Sequence, residues 1–192
     1  SIVTAGLSFL TTIILTFLIE PEEIGLIENF LAINSLVIIF LLFGSDTHMV
    51  KIYSEKNVNH FGIILNGLLI QSLIILTLLV LIGLIKESYI FIINVIFFTL
   101  FNSFYTIILT KYQLEKKALR YSLTITSFGL INFLTSVLLV YIYRNGEARI
   151  IGMTVSMTVI FLITAYRFNK QNPLRILKGL NIVNYKNFLH LF

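Results

Sequence analysis

Six long segments of this 192-residue chain contain no Asp, Glu, Lys or Arg, and they constrain its fold more than any other feature. A helix needs about 20 apolar residues to cross the roughly 30 Å hydrocarbon core of a bilayer. One such segment could be a buried helix or a signal peptide, but six in succession predict a polytopic membrane protein. The charge-free segments are residues 2–19, 29–45, 61–85, 88–110, 121–143 and 150–166.

The fold predicted from these segments is all-α. A backbone in lipid must satisfy its own hydrogen bonds, and the segments lack the two-residue alternation of a barrel strand. Hydrophobic residues make up 57% of the chain and charged residues 12%, whereas soluble domains carry about 25% charged residues. We therefore predict six transmembrane helices, near residues 2–19, 24–43, 61–85, 89–109, 121–143 and 150–166.

The charged connectors predict an orientation in the membrane. Of the 14 basic residues, eleven lie in the even-numbered connectors and the C-terminal tail, and three lie in the odd-numbered connectors. The first connector is acidic, with Glu20, Glu22 and Glu23 and no basic residue. Because basic loops remain in the cytoplasm, both termini are predicted to be cytoplasmic. The net charge of +5 then reflects membrane topology and does not predict a nucleic-acid partner.

Several kinds of chemistry are not expected of this sequence. It has no cysteine, so it can form neither a disulfide nor a thiolate metal site. It lacks the G-x-S-x-G, Walker-type and H-E-x-x-H motifs. Its three histidines, at 48, 60 and 190, are far apart in sequence. We therefore predict a protein that is not an enzyme and that needs no metal or cofactor.

Polar side chains within the predicted spans are mostly amides and hydroxyls rather than charged groups. In the fifth span a polar stripe about 120° wide runs along one face. Its members are Ser122, Thr126, Gly129, Asn132 and Ser136. Such groups either hold transmembrane helices together or line a hydrated cavity, and the sequence leaves both interpretations open. Gly152 and Ser156 have a small-xxx-small spacing, which predicts a close helix contact.

The predicted organisation is one transmembrane lobe followed by a cytoplasmic segment. The six-helix lobe covers residues 1–168. Residues 169–192 combine basic and apolar side chains, which predicts either an amphipathic helix on the membrane or a linker. The apolar residues from Phe188 onward are interpreted as the start of a truncated seventh span. We therefore expect the chain to be part of a longer protein.

Three short motifs resemble those of a known transporter family. They are E-P-E-E-I-G at 20–25, F-G-S-D-T-H-M-V-K at 43–51 and N-G-E-A-R-I-I-G at 145–152. In sequence and spacing they are similar to polysaccharide repeat-unit (Wzx-type) flippases of the multidrug/oligosaccharidyl-lipid/polysaccharide exporter superfamily. Two positions depart from the family pattern: Ala148 replaces the usual Gly, and no Ser or Thr precedes Pro21.

The resemblance implies a function and a larger fold. Members of this family move undecaprenyl-diphosphate-linked oligosaccharides across the bacterial cytoplasmic membrane for surface polysaccharides such as the O-antigen of lipopolysaccharide. They have two six-helix lobes around a cavity, so this chain would be the N-terminal lobe. Its implied partners are the lipid-linked oligosaccharide, membrane lipids and the missing C-terminal half. The implied cavity residues are Asn66, Gln71, Asn94, Asn102, Thr126 and Asn132, and the implied phosphate contacts are Lys51 and Arg149.

Three other functions compete with the flippase. A multidrug exporter of the same superfamily would be expected to carry intramembrane carboxylates, and none lies at mid-membrane depth in the predicted spans of this chain. A membrane polysaccharide polymerase or acyltransferase would be an enzyme, and polymerases of such pathways carry a large outer loop, whereas the outer connectors here are short. A membrane scaffold is the third alternative, against which the polar stripe of the fifth span is mild evidence.

Overall fold

The computed structural model describes residues 2–42, 72, 77 and 89–171, with side chains described as far as residue 167. Its helices are α1 (Ile2–Leu18), α2 (Pro21–Leu42), α3 (Tyr89–Leu114), α4 (Ala118–Tyr143) and α5 (Gly146–Gln171). No strand occurs among these residues, so the all-α prediction is confirmed for the described part of the chain.

Four of the five helices are long and apolar enough to cross a membrane, as expected of a membrane protein. They are α2, α3, α4 and the part of α5 from Gly146 to Arg167. Helix α1 is apolar but shorter, with 17 residues. The predicted span at 61–85 and the tail beyond residue 171 lie outside the described residues. The six-span count and the two-lobe arrangement therefore stay predictions.

Helices α2 to α5 extend beyond their predicted spans at one end or both, because a charge-free segment marks the apolar core of a helix and not its ends. Helix α2 begins at Pro21, a residue favoured in the first turn because it has no N–H to satisfy. Helix α5 begins four residues before its predicted span, and the Asn145 side chain caps it by accepting the Ala148 N–H at 2.9 Å. Acidic residues in both first turns suit the positive end of the helix dipole.

The connectors lie at two ends of the helix bundle that differ in charge. The Gly146 N–H donates to Glu23 Oε2 at 2.8 Å, so the α1–α2 and α4–α5 connectors share one end. We call this the acidic end, since it carries Glu20, Glu22 and Glu23. The α3–α4 connector lies at the other, basic end, where Glu115 pairs with Lys117 at 2.7 Å and with Lys111 at 3.8 Å.

Helix α5 lies at the centre and packs against α2, α3 and α4. Phe161 of α5 stacks on Phe101 of α3, with ring centroids 4.7 Å apart. The fully buried Phe30 of α2 meets Phe91 of α3 edge-on at 5.8 Å and Phe98 at 5.4 Å. These aromatic contacts join α3 to both α2 and α5, which also pack against each other.

A buried polar contact also joins α2 to α3. The Thr99 hydroxyl hydrogen-bonds the Asn34 amide oxygen, and the Asn34 Nδ2 donates to the Phe30 carbonyl at 2.9 Å. Thr99 is fully buried and Asn34 is 2% exposed. Buried amides that join neighbouring helices in this way are common in membrane proteins.

Candidate functional site

The strongest candidate site is a polar cluster that surrounds Arg149 between α4 and α5. Its members are Arg149, Asn132, Ser136 and Ser156, and we call it the Arg149 cluster. Arg149 Nη1 donates to Asn132 Oδ1 at 3.2 Å and to the Ser136 hydroxyl. Ser136 Oγ donates to the same Asn132 oxygen at 3.2 Å, and Ser156 Oγ lies 3.4 Å from it. The Asn132 amide oxygen therefore accepts from both Arg149 and Ser136, with Ser156 beside it, whose hydroxyl donates to the Met153 carbonyl at 2.7 Å.

Small residues allow the two helices to enclose this cluster. A Cβ at Gly152 would lie 2.9 Å from Ser136 Cα, closer than real Cβ contacts, so glycine permits the approach of α5 to α4. The Thr135 hydroxyl then reaches the Gly152 carbonyl across the interface at 3.0 Å. The predicted close contact at Gly152 is thus confirmed. Because residues three and seven apart share a helix face, Gly152 and Ser156 lie on the same side of α5 as Arg149.

The Arg149 side chain extends from the acidic end toward the interior of the bundle. Its partners Ser136 and Asn132 lie seven and eleven residues before Tyr143, the last residue of α4. At 1.5 Å per residue they are about 10 and 16 Å from that helix end. A 26-residue helix is about 39 Å long, so its ends extend only about 4 to 5 Å beyond a 30 Å hydrocarbon layer. The guanidinium would then lie well inside that layer.

All described partners of Arg149 are neutral. No carboxylate of the described residues lies within ion-pair distance of it. The ion pairs among the described residues all involve Glu115. Arg149 is partly buried, and neutral acceptors compensate only part of the desolvation of such a cation. An ionisable group at membrane depth is a candidate functional site for this reason.

The guanidinium also retains hydrogen-bonding capacity. It carries five N–H donors, and the described contacts are made by Nη1 alone. The edge formed by Nε and Nη2 makes no hydrogen bond within the part of the chain that the structure describes. Two parallel donors on such an edge match the geometry of a carboxylate or a phosphate. The donors of that edge are therefore chemically suited to an oxyanion, while Asn132 and Ser136 orient the side chain.

Comparisons with protein-family models, with curated proteins and with solved structures find no match to this chain.

The predicted site residues are distributed over several surfaces. Asn132 and Arg149 come together in the Arg149 cluster. Asn94 of α3 is buried and lines an open groove of about 340 Å³ between α3 and α5, with Phe97 and Phe101 on the α3 wall and Thr154 on the α5 wall. Its Nδ2 donates to the Ile90 carbonyl of its own helix at 2.8 Å. This groove lies on a different face of α5 from Arg149.

Two of the other predicted cavity residues lie on described helices. Asn102 is partly buried on α3, and Thr126 is partly buried on α4. Asn66, Gln71 and Lys51 lie outside the described residues. The assignment of all six cavity residues and of both phosphate contacts stays a prediction.

Part of the polar stripe on α4 contacts neighbouring helices. Gly129 packs on α1, where a Cβ would lie 3.2 Å from the Thr4 methyl group, whereas Asn132 and Ser136 face α5. Sequence reasoning did not predict Ser136 and Ser156 as partners of Arg149. The signal was present, because Arg149, Gly152 and Ser156 recur at the three- and four-residue spacing of one helix face.

No group of three or more His, Asp or Glu among the described residues could hold a metal ion.

Proposed function

We propose that this chain is part of a flippase that moves undecaprenyl-diphosphate-linked oligosaccharides across the bacterial cytoplasmic membrane for surface-polysaccharide synthesis. The observation that carries the proposal is the partly buried Arg149 guanidinium between α4 and α5, whose described hydrogen bonds use Nη1 and leave the Nε–Nη2 edge without a described partner. The three motifs that resemble the Wzx-type flippases support the same function.

The chemistry of the substrate explains why such a group is needed. A diphosphate joined to sugars cannot enter hydrocarbon without losing its hydration, which is very unfavourable for an isolated ion. A guanidinium can replace that hydration with two parallel charge-assisted hydrogen bonds. Arg149 is thus the proposed phosphate contact within the lobe, with Lys51 as a second contact. Amides and hydroxyls would exchange hydrogen bonds with the sugars, and the lipid tail would remain in the bilayer.

The proposed orientation has both termini in the cytoplasm. It is supported by the separation of charge between the two ends of the bundle, since the α3–α4 connector carries Lys116 and Lys117 while the α1–α2 connector begins the Glu-rich turn of α2. The basic end would face the cytoplasm and the acidic end the outside. The proposed protein contains a second lobe that faces this one across the substrate path.

The proposal is tested with Arg149→Ala and Arg149→Lys in a strain that lacks the gene. Surface polysaccharide and the leaflet position of lipid-linked repeat units are measured at matched protein levels. We expect Arg149→Ala to lower export by about tenfold or more, because a charge-assisted contact is lost. Arg149→Lys should lower export less, because a point charge remains. Arg167→Ala is the control, since Arg167 lies exposed on the same helix.

The position of the accumulated intermediate separates the competing functions. A flippase defect leaves repeat units on the inner leaflet, whereas a polymerase defect leaves unpolymerised units on the outer leaflet. Export by Arg149→Ala at the wild-type rate would contradict the proposed role of Arg149.

A further inference from the structure

Two of the three motifs meet at the acidic end of the bundle although they are more than 100 residues apart in sequence. Glu23 belongs to the E-P-E-E-I-G motif in the first turn of α2, and Gly146 belongs to the N-G-E-A-R-I-I-G motif in the first turn of α5. The Gly146 N–H donates to Glu23 Oε2 at 2.8 Å. A contact between two chemically distinctive motifs gives each of them a physical reason to be present.

The contact depends on both residue types. The first N–H groups of a helix have no partner within that helix, and a carboxylate both accepts one of them and suits the positive end of the helix dipole. A Cβ at Gly146 would lie 2.6 Å from the Glu23 carbonyl oxygen and 2.8 Å from Oε2. Only glycine therefore lets the two first turns approach this closely.

Arg149 follows Gly146 by three residues on α5. The connector between α4 and α5 is two residues long, so it restricts where the first turn of α5 can lie relative to the end of α4. Arg149 lies one turn after Gly146, and its side chain must reach Asn132 and Ser136 on α4. The start of α5 is therefore held from two sides, by α4 through the connector and by α2 through Glu23.

We infer that Glu23 is a positioning residue for Arg149, which it holds in register by binding the first turn of α5. This inference rests on the proposed function for its transport consequence. Its geometric content is independent of that function: loss of the Glu23–Gly146 contact should loosen the fit of α5 against α4 at the Arg149 cluster.

The transport arm is a double-mutant cycle measured as polysaccharide export by the intact protein at matched abundance. Glu23→Ala should lower export by about tenfold, the loss expected when a hydrogen bond to a charged acceptor is removed. Glu23→Gln keeps an acceptor oxygen at the same reach and should restore most of the rate. In an Arg149→Lys background, Glu23→Ala should add less than about a twofold further loss of export. The reason is that, in this inference, Glu23 acts only through the contact of Arg149 with α4, which Arg149→Lys has already disturbed. A purely structural role predicts losses that multiply.

The geometric arm uses disulfide formation between cysteines at positions 132 and 156. The chain has no native cysteine, and Ser156 Oγ lies 3.4 Å from Asn132 Oδ1. In the Asn132→Cys/Ser156→Cys protein, adding Glu23→Ala should slow the oxidation rate by severalfold. Glu22→Ala is the matched control, since Glu22 is exposed in the same turn, and it should leave the rate unchanged.

The two arms separate the inference from the proposed function. Wild-type export by the Arg149 variants, with slower oxidation in the Glu23 variant, overturns the proposed function and leaves the positioning role standing. Equal oxidation rates with and without Glu23 overturn the positioning role, whatever export shows. Losses that multiply in the export cycle also overturn it.

Discussion

Replacement of Gly152 by Ala is the most direct test of how α4 and α5 enclose Arg149. The new methyl group would lie 2.9 Å from Ser136 Cα and 3.1 Å from Ser136 N. Both are backbone atoms, so no side-chain rotation can relieve the contact. Because carbon atoms pack best at about 3.5 to 4.0 Å, the two helices must separate by about 0.5 to 1 Å.

Three contributions set the size of the effect. Overpacking of a tight contact costs about 1–3 kcal/mol. Separation of the helices also weakens the Thr135–Gly152 hydrogen bond of 3.0 Å, a contact of the kind worth about 0.6 kcal/mol in a membrane. The higher helix propensity of alanine offsets about 1 kcal/mol. The net destabilisation is about 0.6–2.6 kcal/mol, which corresponds to a midpoint lower by about 1–10 °C in a protein of this size.

The measurement is thermal unfolding of the purified protein in detergent, with Gly25→Ala as the matched control. Gly25 is also a helical glycine, but no atom lies within 4 Å of a Cβ at that position. The control should therefore be as stable as the wild type or slightly more stable. If Gly152→Ala unfolds at the same temperature as Gly25→Ala, the proposed packing of α4 on α5 is wrong.

Three further predictions concern other parts of the bundle. Asn34→Leu and Thr99→Val should each destabilise the α2–α3 contact. A double-mutant cycle measured by thermal unfolding should give a coupling energy of about 0.6–1.7 kcal/mol. A coupling energy of zero would mean that the two side chains do not interact. Phe30→Ala should lower the free energy of unfolding by about 2 kcal/mol or more, because the fully buried ring leaves a cavity between α2 and α3, whereas an unchanged midpoint would contradict that burial. Single cysteines at Lys116 and Asn145 should react with an impermeant thiol reagent from opposite sides of the membrane, the former from the cytoplasm; labelling of both from one side would refute the topology.

The described part of the fold was predictable because a membrane leaves the backbone few alternatives. Absence of charge located α2, α3, α4 and α5, and no other local signal was needed to assign them as helices. Their ends were less predictable, because caps such as Asn145 and first-turn residues such as Pro21 extend a helix into the polar interface. Helix neighbours were not predictable, since most faces carry the same Leu, Ile and Phe side chains.

The candidate site was predictable only in its residues and not in its geometry. Both residues were identified, Arg149 as a phosphate contact at a cavity mouth and Asn132 as a cavity residue for the sugar. The distance of 3.2 Å between Arg149 Nη1 and Asn132 Oδ1 depends on the approach of α5 to α4 at Gly152, which is a tertiary property. The Glu23–Gly146 contact was similarly hidden, because nothing local to either motif indicates that the two first turns are adjacent.

The neutral surroundings of Arg149 fit the requirements of a transport step better than a salt bridge would. A permanent carboxylate partner would occupy the guanidinium edge and cancel its charge, so an arriving phosphate would have to displace it. Asn132 and Ser136 instead orient the side chain through Nη1 and leave its positive charge uncompensated in a region of low dielectric. In the proposed flippase, an oxyanion would be attracted strongly as it arrives. One cation against a diphosphate would still leave net negative charge, so the substrate would not be held too tightly to leave. Arginine with amide and hydroxyl partners would therefore suit the proposed site, which a phosphate must enter and then vacate.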